Sequence, residues 1–440
     1  MVQNEVITGT VEKLVYGGDG LLRVDGYVVF VPRCATGETV EARVVQVKKN
    51  FAKAELIRVV GEPSADRVAD DPTSETPGCV YAHLSEEAEL REKEEQLRQF
   101  LRHLSVPKVG KDDKRLPHPP YPILPSVAAP SGVNYRNKIT LRADVVDGET
   151  KPILGYMEEG THTVVDMPTC PLACPAINDA LAEFRKTEAF AQLRKGEQVA
   201  FRATAEDGVT ILKYAPVKGY RKPGRPLIWD EETKQFVKMD ELPWLWESIG
   251  ESGFLVPADG FFQVNPAMGW KLVQTVTDWF GEDAERYPEI LDLYCGVGVF
   301  GIACMRCGGE RLYGVEESLS SVEAARENAK HWCGNSHFTC VSLDGARRLR
   351  SNWLHDPSRT TVIVDPPRGG LSANTVESLV AARPPRIFYV SCDPATLARD
   401  LQLFIDGGYR IRRTQLFNLF PRTARFETVV ELRSHRWKLS

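Results

Sequence analysis

The sequence predicts an α/β protein in which a doubly wound, mostly parallel sheet follows a small β-barrel and a mixed α+β region. The chain has 440 residues, which is enough for two to four domains of about 100–200 residues each. In the first sixty residues, apolar and polar positions alternate between glycine turns, a pattern typical of a β-barrel. From about residue 256, short apolar runs alternate with helical stretches, which indicates a parallel sheet covered by helices.

Residues 1–60 are predicted to form a closed barrel of the OB type, because several short strands follow each other with turns at Gly17–Gly20 and Asp25–Gly26. A β-rich module with no binding role is the alternative. Residues 61–255 are predicted to be a linker and a central α+β domain. A linker rich in Pro, Asp, Ser and Thr is expected at 61–80. It is followed by a helix at 84–104, which packs on the C-terminal domain and has a solvated acidic face. Strands near 136–144 and 151–158 and a helix near 175–194 complete the region.

One loop of the central region is basic and aromatic. It contains no acidic residue and carries Lys213, Lys218, Arg221, Lys222 and Arg225 beside two tyrosines. Cationic side chains between aromatic rings suit the phosphates and bases of RNA. A solvated surface loop is the simpler alternative.

Composition limits the classes of function. The net charge is −5, so any nucleic acid must be bound by local basic patches rather than by a uniformly basic surface. No apolar run reaches the roughly 18 residues of a membrane span, and the N-terminus lacks the pattern of a signal peptide. We therefore expect a cytoplasmic protein, a monomer with no membrane partner, whose ten cysteines remain thiols.

The predicted parallel sheet occupies 256–440, and ligands of such sheets bind beyond the carboxyl ends of the strands. A glycine motif with Gly296, Gly298 and Gly301 follows the first strand, and Glu316 ends the next one. Such a turn lets a ligand approach the backbone, and the acidic residue can accept the hydroxyls of a ribose. The motif fits either NAD or S-adenosylmethionine, and a glycine turn without a ligand is the third possibility.

Two further strand ends favour a base-modifying enzyme. Asp365 precedes a rigid pair of prolines, which forms a wall without N–H donors. Cys392 is predicted to lie between a strand and a helix capped by Asp393, where the helix dipole favours the thiolate. The last predicted element, 418–432, is an apolar strand preceded by a proline turn, and it contains Glu427. A buried carboxylate there is costly unless it is paired or used. A buried inert cysteine and a solvent-facing glutamate are the alternatives.

The segments DLYCGVGVFG, VDPPRGGL, SCDPATLARDL and FPRTARFE resemble the motifs of the S-adenosylmethionine-dependent RNA (uracil-5-)methyltransferases. The N-terminal barrel resembles the TRAM domain of that family, and FFQVN (261–265) resembles its entry to the cofactor domain. The resemblance implies a Rossmann-like class I methyltransferase domain. It also implies that Cys392 is the nucleophile and Glu427 the general base. The implied cofactor-binding residues are Gln263, Tyr294, Gly296, Gly298, Glu316, Asp344 and Asp365, and the implied substrate-binding residues are Asp365 and Arg368, together with Lys218, Arg221 and Lys222 of the basic loop.

The chain departs from the family pattern at three positions. Arg425 stands where histidine is usual, Asp393 where asparagine is usual, and Asn418 where aspartate is usual. Many relatives also hold a [4Fe–4S] cluster on four cysteines. Here only Cys79 and Cys170 remain for it, so no iron–sulfur cluster is expected. A zinc site formed by these two cysteines with His83 and Cys174 has unusual spacing, and no metal is expected.

The chemistry of carbon-5 methylation calls for the residue types found here. Carbon 5 of uracil becomes nucleophilic only after a thiolate adds to carbon 6, and a base must then remove the carbon-5 proton. We therefore predict methylation of uridine in RNA, with 23S-type rRNA favoured over tRNA. A non-catalytic RNA-binding or ribosome-assembly factor that retains the fold, and an NAD-dependent oxidoreductase, are the alternatives.

Overall fold

A computed structural model describes residues 1–106, 116–145, 151–158, 160–216, 224–343 and 353–435. The N-terminal part is a six-stranded curved sheet whose apolar side chains form a core of their own. Its strands are Val6–Thr10 (β1), Lys13–Leu14 (β2), Gly20–Val24 (β3), Tyr27–Val31 (β4), Thr39–Val47 (β5) and Phe51–Val60 (β6). They are ordered β1-β5-β6-β4-β3-β2, and β1 also packs against β3. The sheet therefore curls into the predicted barrel.

A single helix, Glu86–Leu101 (α1), follows the barrel. It begins after Ser85, whose side chain accepts a hydrogen bond from the Ala88 backbone N–H, as an N-cap does. Leu97 and Leu101 lie in the core of the C-terminal domain. The predicted helix was too long at both ends. Its acidic face is solvated only in part, because Glu87 and Glu95 are exposed whereas Glu89 and Lys93 are fully buried. A short hairpin follows, formed by Ser105–Val106 (β7) and Leu116–Pro117 (β8).

The central region is an antiparallel sheet of seven strands with two short helices against it. The strands are Lys138–Asp144 (β9), Ile153–Met157 (β10), Val164–Asp166 (β11), Gln198–Thr204 (β12), Gly208–Tyr214 (β13), Leu227–Asp230 (β14) and Gln235–Val237 (β15), and the helices are Pro175–Phe184 (α2) and Glu188–Ala191 (α3). The single helix expected near 175–194 is thus interrupted, because the Thr187 side chain caps a new helix. A hairpin of Trp244–Ile249 (β16) and Ser252–Pro257 (β17) leads into the C-terminal domain.

The C-terminal domain is a seven-stranded sheet between helices. The strands are Glu289–Leu293 (β18), Arg311–Glu316 (β19), Ser336–Cys340 (β20), Thr360–Val364 (β21), Arg386–Ser391 (β22), Tyr409–Phe417 (β23) and Glu427–Ser434 (β24), and the helices are Pro266–Gly281 (α4), Val299–Arg306 (α5), Leu319–Trp332 (α6), Ala373–Ala382 (α7) and Pro394–Asp406 (α8). The order is β20-β19-β18-β21-β22-β24-β23. The first five strands of this domain, β18 to β22, are parallel to one another. Strand β24 lies between β22 and β23 and is antiparallel to both.

This order places the topological switch point between β18 and β21, where ligands of open α/β sheets bind. The predicted fold class is confirmed. The predicted last strand, 418–432, was partly wrong, because the strand begins at Glu427 and the residues before it form a loop. Among the described residues, no helix has the length and apolar character that a membrane crossing requires.

Candidate active site

The glycine turn follows β18 at the switch point and leads into α5. Gly296 and Gly298 have φ angles of +54° and +89°, which side chains other than glycine adopt only with strain. A Cβ atom at Gly298 would also lie 2.9 Å from the Ile302 side chain. The turn is therefore built for glycine, and it brings backbone to the surface at the N-terminus of α5, as a nucleotide-type ligand requires.

Two carboxyl groups accept hydrogen bonds from the backbone of this turn and of the residues beside it. Glu316, at the end of β19, accepts hydrogen bonds from the backbone N–H groups of Gly296 (3.2 Å) and Ser318 (2.8 Å). Asp292, fully buried in β18, accepts one from the Gly301 N–H at 2.9 Å. The predicted ribose-binding residue thus lies against the predicted glycine turn.

Asp365 follows β21 at the same edge of the sheet, and α8 fixes the loop after it. The Thr396 hydroxyl donates to the Arg368 carbonyl (3.2 Å), Arg399 donates to the Gly369 carbonyl (2.8 Å), and Asp400 accepts from the Leu371 N–H (2.7 Å). The side chain of Arg368 is exposed. The helix that begins beside Cys392 therefore also holds the loop that carries Asp365 and Arg368.

Cys392 lies where it was predicted, between the end of β22 and the start of α8. Asp393 is the N-cap, and its Oδ1 accepts from the N–H groups of Ala395 (3.0 Å) and Thr396 (3.1 Å). The cysteine is half-buried. Ser391, the last residue of β22, pairs with Thr428 of β24, so Cys392 directly follows and Glu427 directly precedes this last pair. The carboxyl of Glu427 is close enough to raise the pKa of the Cys392 thiol.

Glu427 is buried, which excludes the solvent-facing alternative. Its Oε2 atom has no hydrogen-bond partner among the described residues. Burial and the nearby Asp365 carboxyl raise the pKa of Glu427 well above its ordinary value, although Arg368 opposes this effect. Restricted access to water raises the pKa of Asp365 to about 7. The two carboxyls thus face the same small region as the cysteine.

The prediction that Cys392 is poised as a thiolate was wrong for the protein without ligands. Burial raises the pKa of its thiol to about 12, and the carboxyls of Glu427 and Asp365 add to the rise. Arg368 and Arg425 oppose it, as does the N-terminus of α8, but desolvation dominates. In the protein without ligands, Cys392 is therefore a protonated thiol at neutral pH.

The carboxyl groups at this edge suit a cationic ligand. Burial raises the pKa of Asp292 to about 8, and its Oδ1 has no hydrogen-bond partner among the described residues. With Glu316, Asp365 and Glu427 it forms an acidic cluster that a positive charge would relieve. S-adenosylmethionine carries a sulfonium and an amino group, so the residues present fit this methyl donor.

Three further predicted residues lie within the described part of the chain, and four others lie outside it. Tyr294 follows β18 with a φ of +62°, and Gln263 packs on the first turn of α4, where a Cβ at Gly269 would lie 2.9 Å from it. Lys213 of the basic loop is engaged, since it pairs with Glu197 at 3.7 Å and lies over the Phe236 ring. The predicted residues Asp344, Lys218, Arg221 and Lys222 lie outside the described residues.

No group of three or more metal-ligating side chains occurs within the described ranges. His83 is directed to the barrel, where its Nε2 lies 3.0 Å from the Cys34 carbonyl oxygen. Cys79 and Cys170 lie in the core of the central region. The absence of an iron–sulfur cluster stays a prediction that metal analysis has to test.

Sequence reasoning missed the groups that hold the loop before Glu427. Both oxygens of Glu89 accept from the Arg422 N–H at 3.0 Å, and Lys93 donates to Glu89 (2.7 Å) and to the Asn418 Oδ1 (2.8 Å). Arg422 also pairs with Asp71 at 2.8 Å, so the predicted linker is packed against the site. An i, i+4 pair such as Glu89–Lys93 is usually solvated, and nothing in the local sequence distinguishes this one.

The fold and the site define a class I S-adenosylmethionine-dependent methyltransferase. Residues 252–435 match the model of the tRNA (Uracil-5-)-methyltransferase family, and residues 3–57 match that of the TRAM domain. Residues 252–435 of the chain are thus those of an RNA (uracil-5-)methyltransferase domain, and a TRAM domain precedes them at the N-terminus. These matches favour methyl transfer over the oxidoreductase alternative.

Curated relatives match over nearly their whole length. An uncharacterised RNA methyltransferase of Thermosynechococcus vestitus is 29% identical over 98% of this chain and 98% of its own, and one of Oceanobacillus iheyensis is 28% identical over 98% and 97%. The structure of Pyrococcus abyssi tRNA (uracil-54, C5)-methyltransferase in complex with S-adenosyl-L-homocysteine matches with a TM-score of 0.67 and 23% identity, over 97% of this chain and 100% of that one. This likeness shows a shared fold.

Proposed function

We propose that this protein transfers a methyl group from S-adenosylmethionine to carbon 5 of a uridine in RNA, with Cys392 as nucleophile and Glu427 as general base. The observation that carries the proposal is the proximity of Cys392, Glu427 and Asp365: Cys392 follows the last residue pair of β22 and β24, and both carboxyls act on its thiol. A sulfur nucleophile, a buried carboxyl and a second carboxyl for the ring are the groups that this reaction needs.

The donor would lie at the switch point. Gly296 and Gly298 allow it to approach the backbone, and Glu316 would exchange its hydrogen bond to the Gly296 N–H for the ribose hydroxyls. Tyr294, Gln263 and Asp365 would contribute to the same site. The bound S-adenosylmethionine supplies the methyl group that carbon 5 takes up.

The protein's own groups act before and after that transfer. Cys392 loses its proton to solvent and its sulfur adds to carbon 6 of the uracil, which makes carbon 5 nucleophilic. After methylation, Glu427 removes the proton from carbon 5. The electron pair of that C–H bond then forms the C5–C6 double bond and expels the Cys392 thiolate. The raised pKa of Glu427 suits this role, because a carboxylate with a raised pKa is the stronger base once ionised.

The substrate is RNA in which the target base leaves its stack. A uracil inside a helix cannot reach a half-buried cysteine, so loops and single strands are the plausible sites. We favour 23S-type rRNA because of the attached barrel. The Pyrococcus abyssi protein of similar fold is a tRNA (uracil-54, C5)-methyltransferase, which keeps tRNA as the second candidate.

Nucleoside mass spectrometry with site mapping tests the proposal. Unmodified rRNA and tRNA are incubated separately with the protein and methyl donor, and 5-methyluridine is expected in one of them. Cys392→Ala is expected to abolish it, whereas Cys307→Ala, which removes an exposed cysteine, is the matched control. Donor binding without 5-methyluridine in either RNA would instead support the non-catalytic RNA-binding alternative.

A further inference from the structure

Two of the positions at which the chain departs from the family pattern contact each other. The Nη1 atom of Arg425 donates to the Oδ2 atom of Asp393 at 2.9 Å, and the two side chains form an ion pair. Arg425 stands two residues before Glu427, and Asp393 follows Cys392 directly. The pair therefore spans the two segments that carry the proposed nucleophile and base.

The two oxygens of Asp393 have separate partners. Oδ1 caps α8 through the N–H groups of Ala395 and Thr396, which leaves Oδ2 for Arg425. Asparagine has a single acceptor oxygen. If it capped α8, its amide N–H groups would face the arginine, donor against donor. A neutral histidine could accept from that amide. At positions 393 and 425, asparagine with histidine and aspartate with arginine are therefore both pairs in which a donor meets an acceptor.

A tyrosine of the N-terminal barrel completes the arrangement. Arg425 donates to the Tyr16 hydroxyl at 2.6 Å, and burial raises the pKa of that phenol to about 12, so it stays neutral. The Tyr16 ring packs edge-on against Phe426 and Phe100, with centroids 5.9 and 5.8 Å apart. Barrel, α1 and catalytic domain meet at this ring.

The guanidinium of Arg425, which is hydrogen-bonded to Tyr16, lies near the Cys392 sulfur. Cys392 faces the carboxyls of Glu427 and Asp365, which disfavour the thiolate, and the guanidinium groups of Arg368 and Arg425, which favour it. Arg368 is exposed, whereas Arg425 is fixed from two sides. Arg425 is thus the cation whose position the fold determines.

We propose that Tyr16 is a positioning residue of the methyl-transfer site: it holds Arg425 against Asp393, and so makes the reactivity of the Cys392 sulfur depend on the docked barrel. The inference rests on the proposed function of Cys392. It predicts that an RNA which engages the barrel and displaces Tyr16 would also change the reactivity of the nucleophile.

The test uses the full-length protein and the rate at which iodoacetamide alkylates Cys392, read by mass spectrometry of its peptide. Tyr16→Phe keeps the ring and removes the hydroxyl, and is expected to slow alkylation and kcat by roughly ten-fold, the lower end of the loss for a hydrogen bond to a charged group. Donor affinity should stay unchanged. Tyr27→Phe, which removes a hydroxyl from β4 of the same barrel, is expected to behave as the wild type. Wild-type alkylation in Tyr16→Phe would overturn the proposal.

A swap of both departing residues separates positioning from general damage. Asp393→Asn and Arg425→His are each expected to slow alkylation and kcat by ten-fold or more, whereas the double variant restores a matched pair and should recover most of the loss. Losses that simply multiply in the double variant would contradict the pairing. If Cys392→Ala retains methylation, the proposed function fails. If that variant is inactive while Tyr16→Phe reacts normally, only this inference fails.

Discussion

Asp292→Asn should stabilise the catalytic domain at neutral and alkaline pH. Asp292 is fully buried in β18, and burial, with the nearby Asp365 and Glu316 carboxyls, raises its pKa from 3.8 to about 8. A carboxyl with a raised pKa keeps its proton in the folded state while the unfolded chain loses it. The wild type therefore loses stability as pH rises from about 4 to about 8, and asparagine removes this loss.

The magnitude follows from the shift. About four pKa units, at about 1.4 kcal/mol each, correspond to roughly 5–6 kcal/mol at pH 8 and above, as an upper bound because ionisation draws water into the site. Asparagine can keep the hydrogen bond that the Gly301 N–H donates at 2.9 Å. The advantage of the variant should be near zero at pH 4 and several kcal/mol at pH 8.

Hydrogen–deuterium exchange of peptides that cover β18 measures the opening free energy of this strand in the full-length protein. The intrinsic pH dependence of exchange is shared by both proteins and cancels in the comparison. Asp278→Asn, at an exposed position on α4, is the control. Profiles for the wild type and Asp292→Asn that remain parallel from pH 5 to pH 8 would refute the reasoning.

Three other outcomes are expected. Glu316→Ala should weaken donor binding about ten-fold or more in calorimetry, the size of a lost charge-assisted hydrogen bond, while RNA affinity and the exposed control Glu323→Ala stay unchanged; equal donor affinity would place the pocket elsewhere. Glu89→Ala leaves Lys93 buried without its carboxylate and should cost about 3–5 kcal/mol in urea unfolding, whereas the exposed control Glu87→Ala should cost little; a small loss in both would contradict the buried network. Without ligands, alkylation of Cys392 should rise nearly ten-fold per pH unit from 7 to 9, since its thiol pKa is about 12; a plateau below pH 8 would contradict the raised pKa.

The sequence was informative where the fold imposes a local pattern. Parallel strands buried on both faces appear as apolar runs. The runs RLYGVE (311–316) and RIFYVS (386–391) predict strands with the bounds that β19 and β22 have. The cap at Asp393 and the proline after it predicted the start of α8. The position of Cys392 at a strand–helix junction could therefore be predicted without the structure.

Long-range contacts could not be predicted in this way. Tyr16 and Arg425 are separated by 409 positions, and no local pattern links a barrel loop to the loop before the last strand. The burial of Glu89 and Lys93 depends on Asn418 and Arg422 at the other end of the chain. The thiol pKa of Cys392 was mispredicted for the same reason, since the helix dipole is local while the opposing carboxyls come from β21 and β24.

The most direct test of the central claim is the species that accumulates with Glu427→Gln. Glutamine keeps the shape of the side chain but cannot take the carbon-5 proton, so the variant should stall with methylated RNA joined to Cys392. Denaturing electrophoresis with methyl-labelled donor should show a labelled, slower band that is absent from Cys392→Ala/Glu427→Gln and from the exposed control Glu377→Gln. Turnover of Glu427→Gln at the wild-type rate with no such band would contradict the assignment of Glu427 as the base.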